Sequence, residues 1–494
     1  MYATRPLCLY KSHPDLLSVP PEGPGSGYLI LEDADDVGYI TTWSGKKTRE
    51  PIKDLPFPQN KLLTVEYTSG EDNYVDKAAF IPVVDQLLSS NRYYVIVAKD
   101  DDKKVMSIIS IQIRLAYTSG KKEEEKPKPY CFCGSGIYIP DKPPKTLDSY
   151  DIDQQFEIFK RTGESFSARS VDPDSFPPTF SRRSGWKVHA SDPKSYPIGE
   201  ASGINSALRS QLADFNFPVS REHSLPVSVG KWYCPFMFVR EGTQKEQMER
   251  TMFYKLTLEQ RWERISACEN GDVGGNTVAL TAVVPTEVVR ISWTEAIPER
   301  DEAKGIMWFW TKNEMGLQVK IGLSLVIIER MTWEQDRVGW VHGNEKQVMV
   351  AQMEKYQGGD SWQKFGCYML VEQLVLKRLD GSLVLTYDFN HTNRIRSRKR
   401  KISTFEEVDG SKKKLTMKKR PTAAQRMVWE EERGGWVKGK EKQVRVVKEE
   451  EYGGMWTSYG CYVMVESFVL RRNDGSLVLT YDFRHTHQLR GNWE

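Results

Sequence analysis

The chain has 494 residues, 39% hydrophobic and 28% charged, which places it among folded globular proteins and outside the disordered class. No apolar run reaches the roughly 18 residues of a bilayer-spanning helix, and the start, "MYATRPLCLYKSHP", lacks the apolar core of a secretory leader. The net charge of +3 conceals a local excess: residues 397–426 hold eleven Lys/Arg and three Asp/Glu, which leaves −5 on the rest and excludes a basic surface over the whole protein. Seven scattered cysteines fit reduced thiols. Cys131 and Cys133 lie two apart but no second pair answers them, so no metal site and no cofactor is expected.

Residues 1–27, with "SVPPEGPGSG", read as a Pro/Gly-rich N-terminal arm. Residues 28–396 read as one β-rich domain. It opens with "GYLILED" and "KLLTVEYTSG", and "NRYYVIVAKDDDKKVMSIIS" follows as a hairpin. The charged stretch "SGKKEEEKPKP" suggests a division into two subdomains near 119–150. The stretch 163–220 is rich in Ser, Pro and Phe and should be irregular but packed. "TLEQRWERISACENG" carries helix signals: Thr257 and Gln260 have capping-box spacing, and Leu258, Trp262 and Ile265 share a helical face. The preceding "QKEQMERTMFYKL" reads as a second helix. Strands follow in "TVALTAVV", "EVVRISW", "GIMWFWT" and "LQVKIGLSLVIIERM". The fold class expected is therefore α+β, mostly antiparallel sheet with a few helices. Neither a dinucleotide fingerprint nor a phosphate loop is present, and Ser202 in "GEASG" is misplaced for a nucleophile elbow.

The C-terminal third is duplicated. Blocks 331–356 and 366–396 match later counterparts at 36 of 57 positions, and "DGSLVLTYDF" recurs without change. Each copy is expected to form a three-stranded meander, copy one within 331–396 and copy two at 427–494, joined by a basic flexible linker at 397–426. Asp380-Gly381 and Asp474-Gly475 sit between alternating apolar runs, a hairpin signal that fixes register. Facing residues then sum to 761 in copy one and 949 in copy two. Glu372 and His391 fall on the apolar face, as do Glu466 and His485, and each couple is expected to form a structural Glu–His hydrogen bond. Cys367 and Asp388 fall on the face opposite His391, which disfavours a Cys–His nucleophile. No catalytic residue is assigned.

Long segments carry a family likeness. They include "TRPLCLYKSHPDLLSVPPEGPGSGYL", "LPFPQNKLLTVEY", "FIPVVDQLLSSNRYYVI", "DIDQQFEIFKR", "VGKWYCPFMFVREG", "LTLEQRWERI" and "FGCYMLVEQLVLKRLDGSLVLTYDFNHT". In these the chain resembles the plant-specific family of domain-of-unknown-function 1262. The resemblance implies a soluble plant protein and supplies no reaction, cofactor or site residue. The chain departs from it in the second terminal block, since copy one runs from Arg396 into "SRKRK" and copy two ends "RGNWE".

The function expected is a non-catalytic interaction or regulatory protein with an unidentified protein partner. The alternative is an enzyme or a small-ligand binder, for example of sugars, with Trp308, Trp310, Trp340 and Trp436 as candidate lining. Arg398, Lys399, Arg400, Lys401, Lys412, Lys413, Lys414, Lys418, Lys419 and Arg420 form two basic clusters within 396–420 that an importin could read. The localisation expected is cytoplasmic, with nuclear import through those clusters. No membrane association is expected. Copy two, lacking the strand "GLSLVIIER" that precedes copy one, is a candidate for self-association through 427–494.

Overall fold

The computed structural model describes residues 1–13, 15, 19–32, 39–41, 47–69, 72–98, 116–121, 128–129, 137–138, 148–177, 185–243, 246–247, 250–269, 277–341, 347–355, 362–401, 459–471 and 477–493. Two compact units divide at Ser403/Thr404. The described chain is mostly antiparallel β-sheet, and none of its helices is long and apolar enough to cross a membrane. Helices are short and few among the described residues, so β predominates over the α+β balance expected from sequence.

In the first unit, the largest sheet runs in the order Gly27–Leu31, Tyr2–Pro6, Val227–Pro235, Phe253–Glu269, Trp362–Arg378, Leu383–Lys401, Glu287–Ile291 and Thr294–Glu295. Only the first two named strands pair in parallel. The N-terminal segment is thus no arm: Tyr2 is fully buried in this sheet, and Leu7–Ser12 forms a helix after it. A second sheet orders Phe166–Ser170, Gln155–Lys160, Arg92–Ala98, Asp72–Pro82, Lys61–Ser69 and Lys187–Ser195. Tyr94 pairs with Gln155 across it. Segments on both sides of 119–150 therefore share one sheet, and the expected subdomain boundary there falls. The aromatic core of this sheet gathers Phe57, Phe80, Phe156, Phe166 and Trp186.

Two element assignments are corrected. Phe253–Glu269 is a seventeen-residue strand, not a helix. Tyr254, Leu256, Leu258, Gln260 and Trp262 are buried with period two, and pairing to strands on both sides overrides the chance capping-box spacing. The apolar run after Ser324 is the helix Leu325–Asp336, not a strand extending copy one. Its residues 325–328, 330, 331, 334 and 335 are buried, and an apolar run of that kind does not distinguish buried helix from buried strand by periodicity. Glu246, Gln247 and Arg250 are helical, in keeping with the helix expected before the long strand.

The copy-one hairpin has the derived register: Glu372 pairs Phe389 and Leu370 pairs His391. Its turn is longer than expected. Arg378 N–H bonds Ser382 O at 2.9 Å, Gly381 sits at φ 87°, and a bulge beside Leu376 restores the pairing. The copy-two strands Tyr459–Arg471 and Leu477–Trp493 repeat the register, with Glu466 opposite Phe483 and Met464 opposite His485. The expected meander is not the unit formed in copy one. Gln347–Lys355 pairs along its whole length with Thr277–Pro285 instead. Val278, Val284 and Val350 of that pair cover Phe365, Cys367, Met369 and Val371, so the second face of the hairpin is buried there rather than solvated. The outer face of the pair presents Ala279, Thr281, Val283, Gln347, Met349, Ala351 and Met353, all exposed and none charged.

Candidate functional site

Glu372 and His391 are both fully buried on one face of the hairpin, as the register requires. The direct bond expected between them is replaced by other partners. The helix Ser206–Gln211 carries Arg209, whose Nε donates to Glu372 Oε1 at 2.9 Å while Nη2 donates to Oε2. Gln260 Nε2 donates to Glu372 Oε1 at 2.6 Å. Arg209 Nη1 also reaches Glu334 Oε2 at 3.1 Å, and Arg330 Nη2 reaches Glu334 Oε1 at 2.6 Å. Two arginines and two glutamates thus neutralise one another inside the core. Burial pushes the Glu372 carboxyl up, but the bonds and charge of Arg209, with nearby His391 and Gln260, hold it below its ordinary value. His391 Nε2 lies 3.1 Å from Gln335 Oε1, within hydrogen-bond distance. Burial chiefly lowers the His391 pKa to about 4, so the ring is neutral near pH 7. This cluster is sealed and structural. The side chains of Glu466 and His485 lie outside the described residues.

The accessible chemistry lies elsewhere along the same strands. A cleft of about 650 Å³ is lined by Glu259, Arg261, Arg264, Arg290, Trp293 and Gln373, together with His223 and Thr386. Period two explains part of the lining: residues 259, 261 and 263 alternate with the buried 258, 260 and 262, while Arg264, of the other parity, lies at the irregularity between Arg264 and Ser266. Buried Asp388 holds three of these lining side chains. It accepts from Arg261 Nη2 at 3.1 Å, Arg290 Nη1 at 2.6 Å and Gln373 Nε2 at 2.5 Å. Arg261 also bonds Glu263 at 2.8 Å, and Arg264 meets Glu222 at 3.5 Å. Each cleft arginine therefore has a carboxylate. Its guanidinium is held in place and keeps N–H groups beyond those its carboxylates take.

Trp293 is one of the residues lining this cleft. It is 79% exposed and sits with Ser292 in the two-residue turn joining Glu287–Ile291 to Thr294–Glu295. Its φ is 71° and that of Ser292 is 49°, both in the left-handed region. Turns of this kind favour Asn and Gly, and a bulky side chain there is strained. Sequence reading placed Trp293 at the end of a strand and missed it. The available signal was a Ser-Trp pair separating "EVVRI" from "TEAI".

The tryptophans singled out from sequence serve other purposes. Trp340 is buried edge-on against Phe389, with centroids 5.1 Å apart. Trp308 packs under Lys320 Nζ at 4.6 Å and, with Tyr150 and Arg240, borders another cleft of about 500 Å³. Trp310 is half-buried, and Trp436, Cys131 and Cys133 lie outside the described residues. Cys367 is buried against Val278 and Phe365, and burial pushes its thiol up to about 11. Among the described residues, no three His, Cys, Asp or Glu side chains gather as a cation site.

The first basic cluster is not part of a linker. Arg398–Lys401 end the strand Leu383–Lys401, because that strand keeps pairing with Trp362–Gly366. Arg398 donates to Phe215 O at 2.6 Å and Asn216 Oδ1 at 2.9 Å. The second cluster, 412–420, lies outside the described residues, as does the rest of the expected linker from 402 on.

Residues 22–132 match the family model described as Protein of unknown function (DUF1262). The matched stretch contains the strands Gly27–Leu31, Lys61–Ser69, Asp72–Pro82 and Arg92–Ala98. No curated protein matches the sequence. Among solved structures, the crystal structure of Cry35Ab1 is similar with a TM-score of 0.37 and 13% identity, covering 69% of this chain and 90% of that one.

Proposed function

We propose that the chain is a non-catalytic binding protein that seats a small polar ligand in the cleft beside Trp293. The observation that carries this reading is convergence. Three arginines, Glu222, Glu259, Glu263, Gln373 and an exposed indole line one concavity of about 650 Å³, a size suited to a small molecule. An interaction protein of the kind expected from sequence needs no such concavity. Binding rather than catalysis is favoured because Glu263 and Asp388 are engaged by arginines and make poor proton donors near pH 7, while Glu259, met by Thr257 Oγ1 at 3.5 Å, has no other nucleophile or histidine bonded to it among the described residues. His223 is turned to its own chain, with Nδ1 3.0 Å from Ser224 O.

The test is capture from a cell extract on the full-length protein, followed by analysis of the small molecules released. Glu259→Trp, which fills the cleft from its own strand, is the control. The reading predicts compounds retained by the wild type and absent from the variant. Identical eluates from the two proteins would contradict it.

A further inference from the structure

Resting on that reading of the cleft, we propose that its ligand is a neutral saccharide, with one sugar ring stacked on Trp293 and its hydroxyls met by the ion-paired side chains below. Three features select this chemistry.

The first is charge. Arg261 is bonded to Glu263 and Asp388, Arg290 to Asp388, and Arg264 to Glu222. A phosphate, sulfate or carboxylate ligand would find N–H groups left on these guanidinium ions, but it would sit beside Glu222, Glu263 and buried Asp388, whose like charge opposes it. A cation would meet guanidinium groups on the same walls.

The second is polarity. Beside the indole and Pro226, the walls carry charged, amide, imidazole and hydroxyl groups on aliphatic stems, so polar atoms and apolar surface lie side by side in the cleft. Hydroxyl groups are donors and acceptors at once. They suit a surface on which guanidinium N–H groups and carboxylate lone pairs alternate at close spacing.

The third is Trp293. An indole exposed to 79% in a left-handed turn forgoes burial and adopts a disfavoured backbone conformation. Glycine or asparagine would serve the turn better, so the fold does not require tryptophan. An exposed indole in a cleft lined by polar side chains offers the flat apolar face on which the C–H face of a sugar ring packs.

The experiment uses the full-length chain on an array of neutral and acidic glycans, followed by calorimetric titration of the best binder. Trp293→Gly and Trp293→Phe are titrated alongside. The proposal predicts binding to a neutral glycan, a loss of about tenfold or more with Trp293→Gly, and partial retention with Trp293→Phe. It also predicts that Trp293→Gly melts no lower than the wild type, because glycine relieves the turn; a merely structural tryptophan would not give weak binding with undiminished stability. Binding to acidic glycans alone, to no glycan, or equally by the wild type and Trp293→Gly would overturn the proposal. If no glycan binds while capture still separates the wild type from Glu259→Trp, the saccharide assignment falls and the cleft reading stands.

Discussion

At the scale of single residues, the core charge cluster governs stability. Glu372→Ala leaves the Arg209 guanidinium buried with its bidentate partner gone, although Glu334 still holds Nη1. The expected loss is about 3 kcal/mol or more, read from urea denaturation; a loss below about 1 kcal/mol would mean that Arg209 re-pairs or hydrates freely. His391 adds a pH dependence. Its pKa is about 4 in the folded chain and roughly 6.5 unfolded, so between these values the unfolded chain binds the extra proton. Its contribution is fully present above the unfolded value and is lost as pH falls toward the folded one. The wild type should therefore be weaker at pH 5 than at pH 7.5 by about 2 kcal/mol from this group. His391→Gln should flatten the dependence over that interval, and an unchanged slope would remove His391 as its source. The burial of Glu372 and His391 was legible from hairpin parity. Their partners were not: Arg209 lies 163 residues from Glu372, and no local pattern in "SALRSQ" marks its arginine as a core group.

At the scale of elements, legibility followed the strength of the local rule. The repeated Asp-Gly turns between alternating apolar runs specified register in both hairpins, even though the first turn holds an extra residue and a compensating bulge. Phe253–Glu269 was misread because a three-residue capping spacing can occur in a strand, whereas its true period is visible only once both neighbouring strands are known. The Gln347–Lys355 strand was recognised but assigned the wrong partner, since nothing in its sequence distinguishes the nearby hairpin from the more distant Thr277–Pro285. The duplication offers a test of that pairing. Val348 and Val350 persist as Val444 and Val446, while outward Met349 and Met353 correspond to Arg445 and Glu449. The double substitution Met349→Arg with Met353→Glu should change stability by no more than about 1 kcal/mol, because both side chains are 69% and 66% exposed. Val350→Arg should cost several times more, because Val350 packs on Met369 and Val371. Equal costs would place the strand the other way up.

At the scale of the whole molecule, the candidate site is built entirely within the unit Met1–Ser403, from the long central strand, the copy-one hairpin and the Glu287–Glu295 turn. The second unit repeats the hairpin backbone but has no counterpart of "EVVRISWTE" in its sequence, so it carries no copy of Trp293. The cleft was illegible in sequence for the same reason. Its arginines come from segments far apart, and only strand order brings Arg261, Arg290 and Asp388 together. The measurement that tests the central claim most directly is hydrogen–deuterium exchange of the full chain with and without the ligand obtained by capture. Protection should concentrate in 259–264 and 287–295. Protection confined to 148–150 and 303–308, around the cleft that Tyr150 and Trp308 border, would contradict it.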